Sequence, residues 1–230
     1  MIFMKFQKIV ALSFLLFSFT SFTQSASYKA EREKINDLVH TKLKVDFNFS
    51  NKTMNGEAWI TAKPHFYNTN KVTLDANSML IHKITLNNID VPYNYNEYEL
   101  IIDLPKTYKK DEEFTIYIKY TARPEKVKDK GSQAITDAKG LYFINADGID
   151  KNKPTQIWTQ GETQANSAWF PTIDAPNQKT SQEIYITVPN KYKTLSNGEL
   201  ISQTKNGNNR TDYWKFDKKH APYLAFMGVG

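Results

Sequence analysis

Residues 114–120 read Phe-Thr-Ile-Tyr-Ile-Lys-Tyr, which places Phe114, Ile116, Ile118 and Tyr120 on one side of an extended chain. Successive side chains of a strand point to opposite faces, so this alternation builds a half-buried β-strand. The same period of two recurs at Leu43, Val45, Phe47 and Phe49, and at Ile184, Ile186 and Val188. No window of the chain keeps a convincing helical period of 3.6. Shorter strands are expected at 57–63, 72–74, 80–86, 98–104, 141–144, 156–159, 200–204, 211–216 and 223–229.

Turn residues separate these runs. Met54-Asn55-Gly56, Asn87-Asn88, residues 105–111 and Asn197-Gly198 are expected to reverse the chain, and Pro64 to end the second strand. Asn206-Gly207 marks a hairpin between 200–204 and 211–216, with a loop that reads as longer than two residues. Residues 122–139 read as a charged loop, 145–153 as a polar one, and 163–169 as a turn of helix. The fold class is therefore all-β, a curved β-sandwich or saddle of antiparallel sheets.

The chain divides into a signal peptide (1–26) and a β domain (27–230). Residues 1–26 show a basic start (Lys5, Lys8), an apolar run from Ile9 to Phe22 and a small polar stretch, with cleavage expected between Thr23 and Ser27. A membrane span needs ~20 apolar residues, and Ser13, Ser18, Thr20 and Ser21 interrupt this shorter run. No stable membrane span is expected after cleavage, and the protein is read as exported, periplasmic or secreted. The chain has no cysteine, which excludes both a lipid-bearing cysteine anchor and disulfide staples.

The net charge of +6 is mild, and the densest cationic group, Lys126, Lys128 and Lys130, is broken by Asp129. Nucleic-acid surfaces gather such charge into a stripe, so no nucleic-acid partner is expected. Catalytic chemistry is equally sparse. The histidines are His40, His65, His82 and His220, with no His-Glu-x-x-His pair, no Gly-x-Ser-x-Gly elbow and no glycine-rich phosphate loop. Asp147-Gly148 with Asp150 lacks the twelve-residue calcium pattern.

One stretch breaks the strand rhythm. Trp158-Thr159-Gln160-Gly161-Glu162 runs on to Trp169-Phe170-Pro171-Thr172-Ile173-Asp174-Ala175-Pro176. Gln160 and Glu162, flanked by large aromatics, could be presented from a rigid apolar base. Residues alone also fit a surface turn with Gly161 at positive φ and two packing tryptophans.

At Gln160-Gly161-Glu162, Trp169-Phe170-Pro171 and Asp174-Ala175-Pro176 the sequence resembles the aminopeptidase N family of zinc metallopeptidases (gluzincins). The turn Asn55-Gly56-Glu57 and the closing run from Ala221 to Gly230 resemble that family's first domain in order. The resemblance implies that Glu162 binds the free α-amine of a peptide and that Gln160 lines the first substrate pocket. Trp169, Phe170, Pro171 and Asp174 would brace the loop. The family commonly has arginine where this chain has Asn166-Ser167-Ala168, and cysteine and glutamate where it has Thr172 and Ala175.

The family's Gly-x-Met-Glu-Asn loop and its His-Glu-x-x-His zinc helix lie beyond its first domain, and Gly230 precedes both. The resemblance thus implies an aminopeptidase whose zinc belongs to the full-length protein. By itself this chain would bind no zinc and hydrolyse nothing, and its partners would be a peptide N-terminus and a missing catalytic domain. Two alternatives stay open: a free-standing, non-catalytic β-sandwich that binds a peptide or surface, and a zinc-less relative.

Overall fold

A computed structural model of the chain describes residues 32–128 and 137–230. The expected signal peptide, Asp129 and Lys130 lie outside the described residues. Contacts divide the chain into Met1–Glu33 and Lys34–Gly230, and the description below concerns the second unit.

β1 (Asn36–Asn48) and β2 (Thr53–Pro64) form a long hairpin. Next come β3 (Thr69–Asp75), β4 (Leu80–Leu86), and the short β5 (Ile89–Asp90) and β6 (Tyr93–Tyr95). β7 (Glu99–Tyr108), β8 (Phe114–Ala122), β9 (Leu141–Ile144) and β10 (Gln156–Thr159) lead to the candidate site. Beyond it lie β11 (Thr180–Pro189), β12 (Thr194–Ser196), β13 (Glu199–Asn206), β14 (Asn209–His220) and β15 (Met227–Val229). Single 3-10 turns occur at Pro124–Lys126, Asn166–Ala168 and Pro222–Leu224.

The described strands form three sheets. Eight run in the order β13-β14-β11-β1-β2-β8-β4-β5, four as β12-β15-β10-β9, and three as β3-β7-β6. Pairings are antiparallel except β1 with β11, which run parallel with Leu43 opposite Ile184. Alternation does what the sequence implies: in β8, Phe114, Ile116, Ile118 and Tyr120 are buried while Thr115 and Lys119 face out. The inward faces of all three sheets share one apolar core. On the outer face of the large sheet, Lys42 and Lys44 lie over the Trp59 and Tyr185 rings, so these cations are partly spent covering aromatic surface.

Several expected turns lie elsewhere. Met54-Asn55-Gly56 is inside β2, and the reversal comes earlier, where the Asn48 side chain accepts the Asn51 N–H at 3.0 Å and Lys52 takes φ +51°. Gly56 serves a strand role: a Cβ there would lie 2.2 Å from the Tyr120 ring that crosses it. Pro105 is within β7, at the point where the pairing with β3 lapses between Asp103 and Tyr108, so no ladder requires its missing N–H. The 206–209 hairpin closes with two residues, Gly207 at φ +59° and Asn208, which is shorter than expected. Pro222 starts a 3-10 turn, so the strand expected over 223–229 is confined to β15.

The large sheet is tied to the four-stranded one through a buried ion pair. Arg210 donates through Nε and Nη2 to the two Asp212 oxygens at 2.6 and 2.8 Å, and through Nη2 to the Tyr192 carbonyl at 2.9 Å. Thr194 of β12 and Gln203 of β13 donate to the same carboxylate. Burial works to raise the Asp212 pKa, but the Arg210, Thr194 and Gln203 hydrogen bonds hold it below the ordinary carboxylate value. Breaking such a pair from one side strands a buried charge. Asp212→Ala should therefore lower stability by about 3–5 kcal/mol in urea unfolding, whereas Arg210→Met with Asp212→Leu should cost much less.

Candidate functional site

β10 delivers the chain to the Gln160-Gly161-Glu162 loop. Ile157 and Thr159 point into the core, while Trp158 faces out, 40% exposed and stacked on Tyr142 of β9 at 4.7 Å. Trp158, Gly228 and Leu195 are register partners across β10, β15 and β12, so the outer face of the small sheet carries the row Tyr142–Trp158–Gly228–Leu195. Leu224, in the preceding 3-10 turn, is also exposed.

The loop begins where the Gln160 N–H donates to the Gly140 carbonyl at 2.9 Å, and it closes where the Ala165 N–H donates to Gly161 O at 2.9 Å. Gly161 is not in the left-handed region, contrary to the expectation of a positive φ. It is glycine because of crowding: a Cβ would lie 2.2 Å from the Tyr223 carbonyl oxygen and 2.5 Å from Asn166 Nδ2. Gly140 does need the left-handed conformation, at φ +68°, and a Cβ there would meet Ala165 O at 2.0 Å. Gln160 is half-buried and Glu162 exposed, with a cis peptide bond between Glu162 and Thr163. No hydrogen bond or ion pair to another described residue occupies either side chain. A carboxylate and a carboxamide held this way can accept hydrogen bonds from an ammonium group.

The base beneath is buried and polar as well as aromatic. Residues 163–169 do contain a helical turn, the 3-10 segment at Asn166–Ala168. Asn166, fully buried, donates from Nδ2 to Pro222 O at 2.7 Å and Ala225 O at 2.9 Å, and its Oδ1 accepts the Trp169 indole N–H at 2.6 Å. Trp169 packs against Phe170 at 4.4 Å, and both rings are buried, as is Pro171. Asp174 accepts the Ser167 N–H at 2.8 Å, and its own N–H donates to Asp75 Oδ2 at 2.8 Å. A β-bridge between Asp75 and Thr172 completes the attachment to β3.

Sequence reasoning missed Asn166 and Asn197. Asn197, read as a turn residue, donates to Leu224 O at 3.1 Å and accepts the Phe226 N–H at 2.7 Å. Neither residue carried a signal in the sequence, because the partners of both lie far along the chain.

The histidines do not form a metal centre. His40 bonds Ser181 and Glu183, His65 bonds Asp37, His82 bonds Thr121 and His220 bonds Gln182. Among the described residues no group of three or more His, Cys, Asp or Glu gathers to hold an ion. Zinc ligation needs convergent donors, and these do not fit it. Nor is any helix of the described residues long and apolar enough to cross a membrane.

Burial pushes the Asp174 pKa up to about 6, with the nearby Asp75 charge adding to the rise against the Ser167 hydrogen bonds. The folded state then takes up a proton near pH 6 and the unfolded state only near pH 4. Between those values the folded protein binds more protons, so this group's contribution falls as pH rises from 4 to 6, by about 3 kcal/mol in all. Asp174→Asn should remove that slope, seen as a stability difference from wild type that grows in the variant's favour across pH 4–6.

The chain matches the family model of the Peptidase M1 N-terminal domain over residues 27–224. An M1 zinc metallopeptidase from Deinococcus radiodurans superposes with a TM-score of 0.73 at 16% identity, covering 85% of this chain and 42% of that one. Legionella pneumophila aminopeptidase A gives 0.68 at 19% identity, covering 89% and 22%. At these identities the likeness establishes the fold. Transcription initiation factor TFIID subunit 2 of Schizosaccharomyces pombe is 23% identical over 201 residues, which is 75% of this chain and 17% of that protein. The chain thus spans less than half the length of each of these relatives, and over the part it shares with them it belongs to the Peptidase M1 N-terminal domain family.

Proposed function

We propose that this chain is the substrate-anchoring domain of an exported zinc aminopeptidase, in which Glu162 binds the peptide's free α-amine and Gln160 lines the pocket beside it. The observation that carries this is the contrast within one loop. Gln160 and Glu162 have uncommitted polar groups, while Gly161 between them is packed so tightly that no side chain fits. An anchor of this kind measures a fixed distance from the amine to the scissile bond, which is what makes a peptidase remove single N-terminal residues. Family membership and the solved metallopeptidases support the reading, and one of those was crystallised with a Tyr-Ser-Ala substrate. Zinc and the groups that activate water would be supplied by the remainder of the longer protein. The Tyr142–Trp158–Leu195 row, with Leu224, is the apolar surface we assign to that catalytic part. Export rests on the pattern of residues 1–26.

A second reading, a relative without peptidase activity, draws on the match to a transcription-factor subunit whose name is not that of a peptidase.

Glu162→Gln in the complete gene product separates the two. Removing one charge-assisted hydrogen bond costs ~1.5–3 kcal/mol, so KM for unblocked peptides should rise about 10- to 100-fold with zinc content unchanged. Equal cleavage of acetylated and unblocked peptides, or no effect of the substitution, would sink the anchor. A complete gene product that cleaves nothing would favour the second reading.

A further inference from the structure

We infer that Asn166 is the positioning residue of the Gln160–Glu162 loop, acting by clamping the turn Pro222–Leu224 and the following Ala225 against the loop's underside. The substrate-related part rests on the amine-anchor reading, while the positioning part rests on geometry alone.

Between Gln160, whose N–H is held by the Gly140 carbonyl, and Ala165, whose N–H returns to Gly161 O, the loop has no ladder of its own, and its underside is packed at Gly161. Two groups crowd the place that a Cβ would take there. One is the Asn166 carboxamide, with Nδ2 and Cγ at 2.5 and 2.6 Å from where a Cβ would stand; the other is the Tyr223 carbonyl oxygen at 2.2 Å. The carboxamide also fixes the second contact. Its two donated bonds go to Pro222 O and Ala225 O, the residues on either side of the Tyr223–Leu224 peptide. Its third bond, from the Trp169 indole N–H, fixes the amide's rotation, so both donors stay aimed at the turn. The Asn166 carbonyl receives the N–H groups of Trp169 and Phe170 at 3.0 and 3.1 Å, which ties the same residue to the aromatic base. One planar side chain therefore sets where Gly161 can rest, and Glu162 is the next residue.

The clamp differs from ordinary core packing in what its loss should release. A buried side chain that only fills space lowers global stability when altered. Asn166 joins two irregular segments that share no strand pairing, so weakening it should loosen those segments while leaving the sheets intact. Asn166→Asp tests this, because it retains an acceptor for the Trp169 N–H but loses both donors. Asn166→Leu, uncharged and branched at the same carbon, removes both donors together with the Trp169 acceptor and serves if the aspartate variant fails to fold.

In the complete gene product, hydrogen exchange followed by mass spectrometry should show about tenfold faster exchange over residues 160–166 and 221–227, with β1 unchanged. KM for unblocked peptides should rise about tenfold with kcat within about twofold, the mark of lost substrate placement. Gly161→Ala, pressing on the same contact from the other side, should raise KM likewise. Unchanged exchange in both segments, or acceleration shared equally with β1, overturns the positioning role. If the loop exchange responds as expected but the wild-type product cleaves no unblocked peptide, the clamp stands and the amine-anchor reading falls.

Discussion

A buried peptide group that leaves the sheet ladder must still find a hydrogen-bond partner, because leaving it unpaired costs more than most single contacts supply. Two stretches of this chain face that demand, residues 160–178 and 221–226. Side chains meet it: Asn166, Asn197 and Ser196 take the carbonyls of Pro222, Leu224, Ala225 and Phe226, and Thr159 bonds Met227. Gln178 bridges to the start of β1 through Leu38 N and Asn36 O. Asp75 and Asp174 secure the segment between. The half-buried Gln160 and exposed Glu162 can stay free of internal partners because this polar base holds the backbone under them without their help.

What the sequence made legible follows from the range of the interaction. Alternation is local, so β8 and the centre of β1 could be read directly. The first half of β1 could not, because a bulge between Leu38 and His40 shifts the parity and puts Leu38 and Thr41 on the same side. β13, every residue of which is exposed, was legible from the Asn206-Gly207 hairpin signal and its pairing with 211–216 instead of from buried alternation. The parallel pairing of β1 with β11 left no trace, because its partners are separated by some 140 residues, as the Leu38–Gln178 bond also is. Glycines misled for a related reason. Gly56 and Gly161 looked like turn formers, yet each is small because something packs where a side chain would stand, and the nearest such group, the Tyr120 ring or the Tyr223 carbonyl, lies far away in sequence.

The candidate site divides along the same line. Its exposed residues sit in a short motif that resembles a known family and could be named at once. Asn166, which holds them, bonds to residues 56 and 59 positions later, a distance at which single-sequence reasoning has no purchase. The comparisons add that this scaffold occurs in proteins named as metallopeptidases, and that the sequence is 23% identical over 201 residues to one named as a transcription-factor subunit. A fold held together by side-chain capture of backbone groups can persist while the chemistry attached to it changes.

The tryptophans carry a further consequence. Trp169 and Trp214 are buried, and each indole N–H is bonded within the protein. Trp158 instead stands in solvent beside Tyr142 on the outward face of the small sheet. The chain therefore contains an intrinsic optical reporter of that face: its most exposed indole, open to a collisional quencher, beside two buried indoles and the half-buried Trp59 of the large sheet. Whatever covers the face must dim the quenching of that indole and shift its emission to the blue. Occupancy of the surface could then be followed in solution without a label.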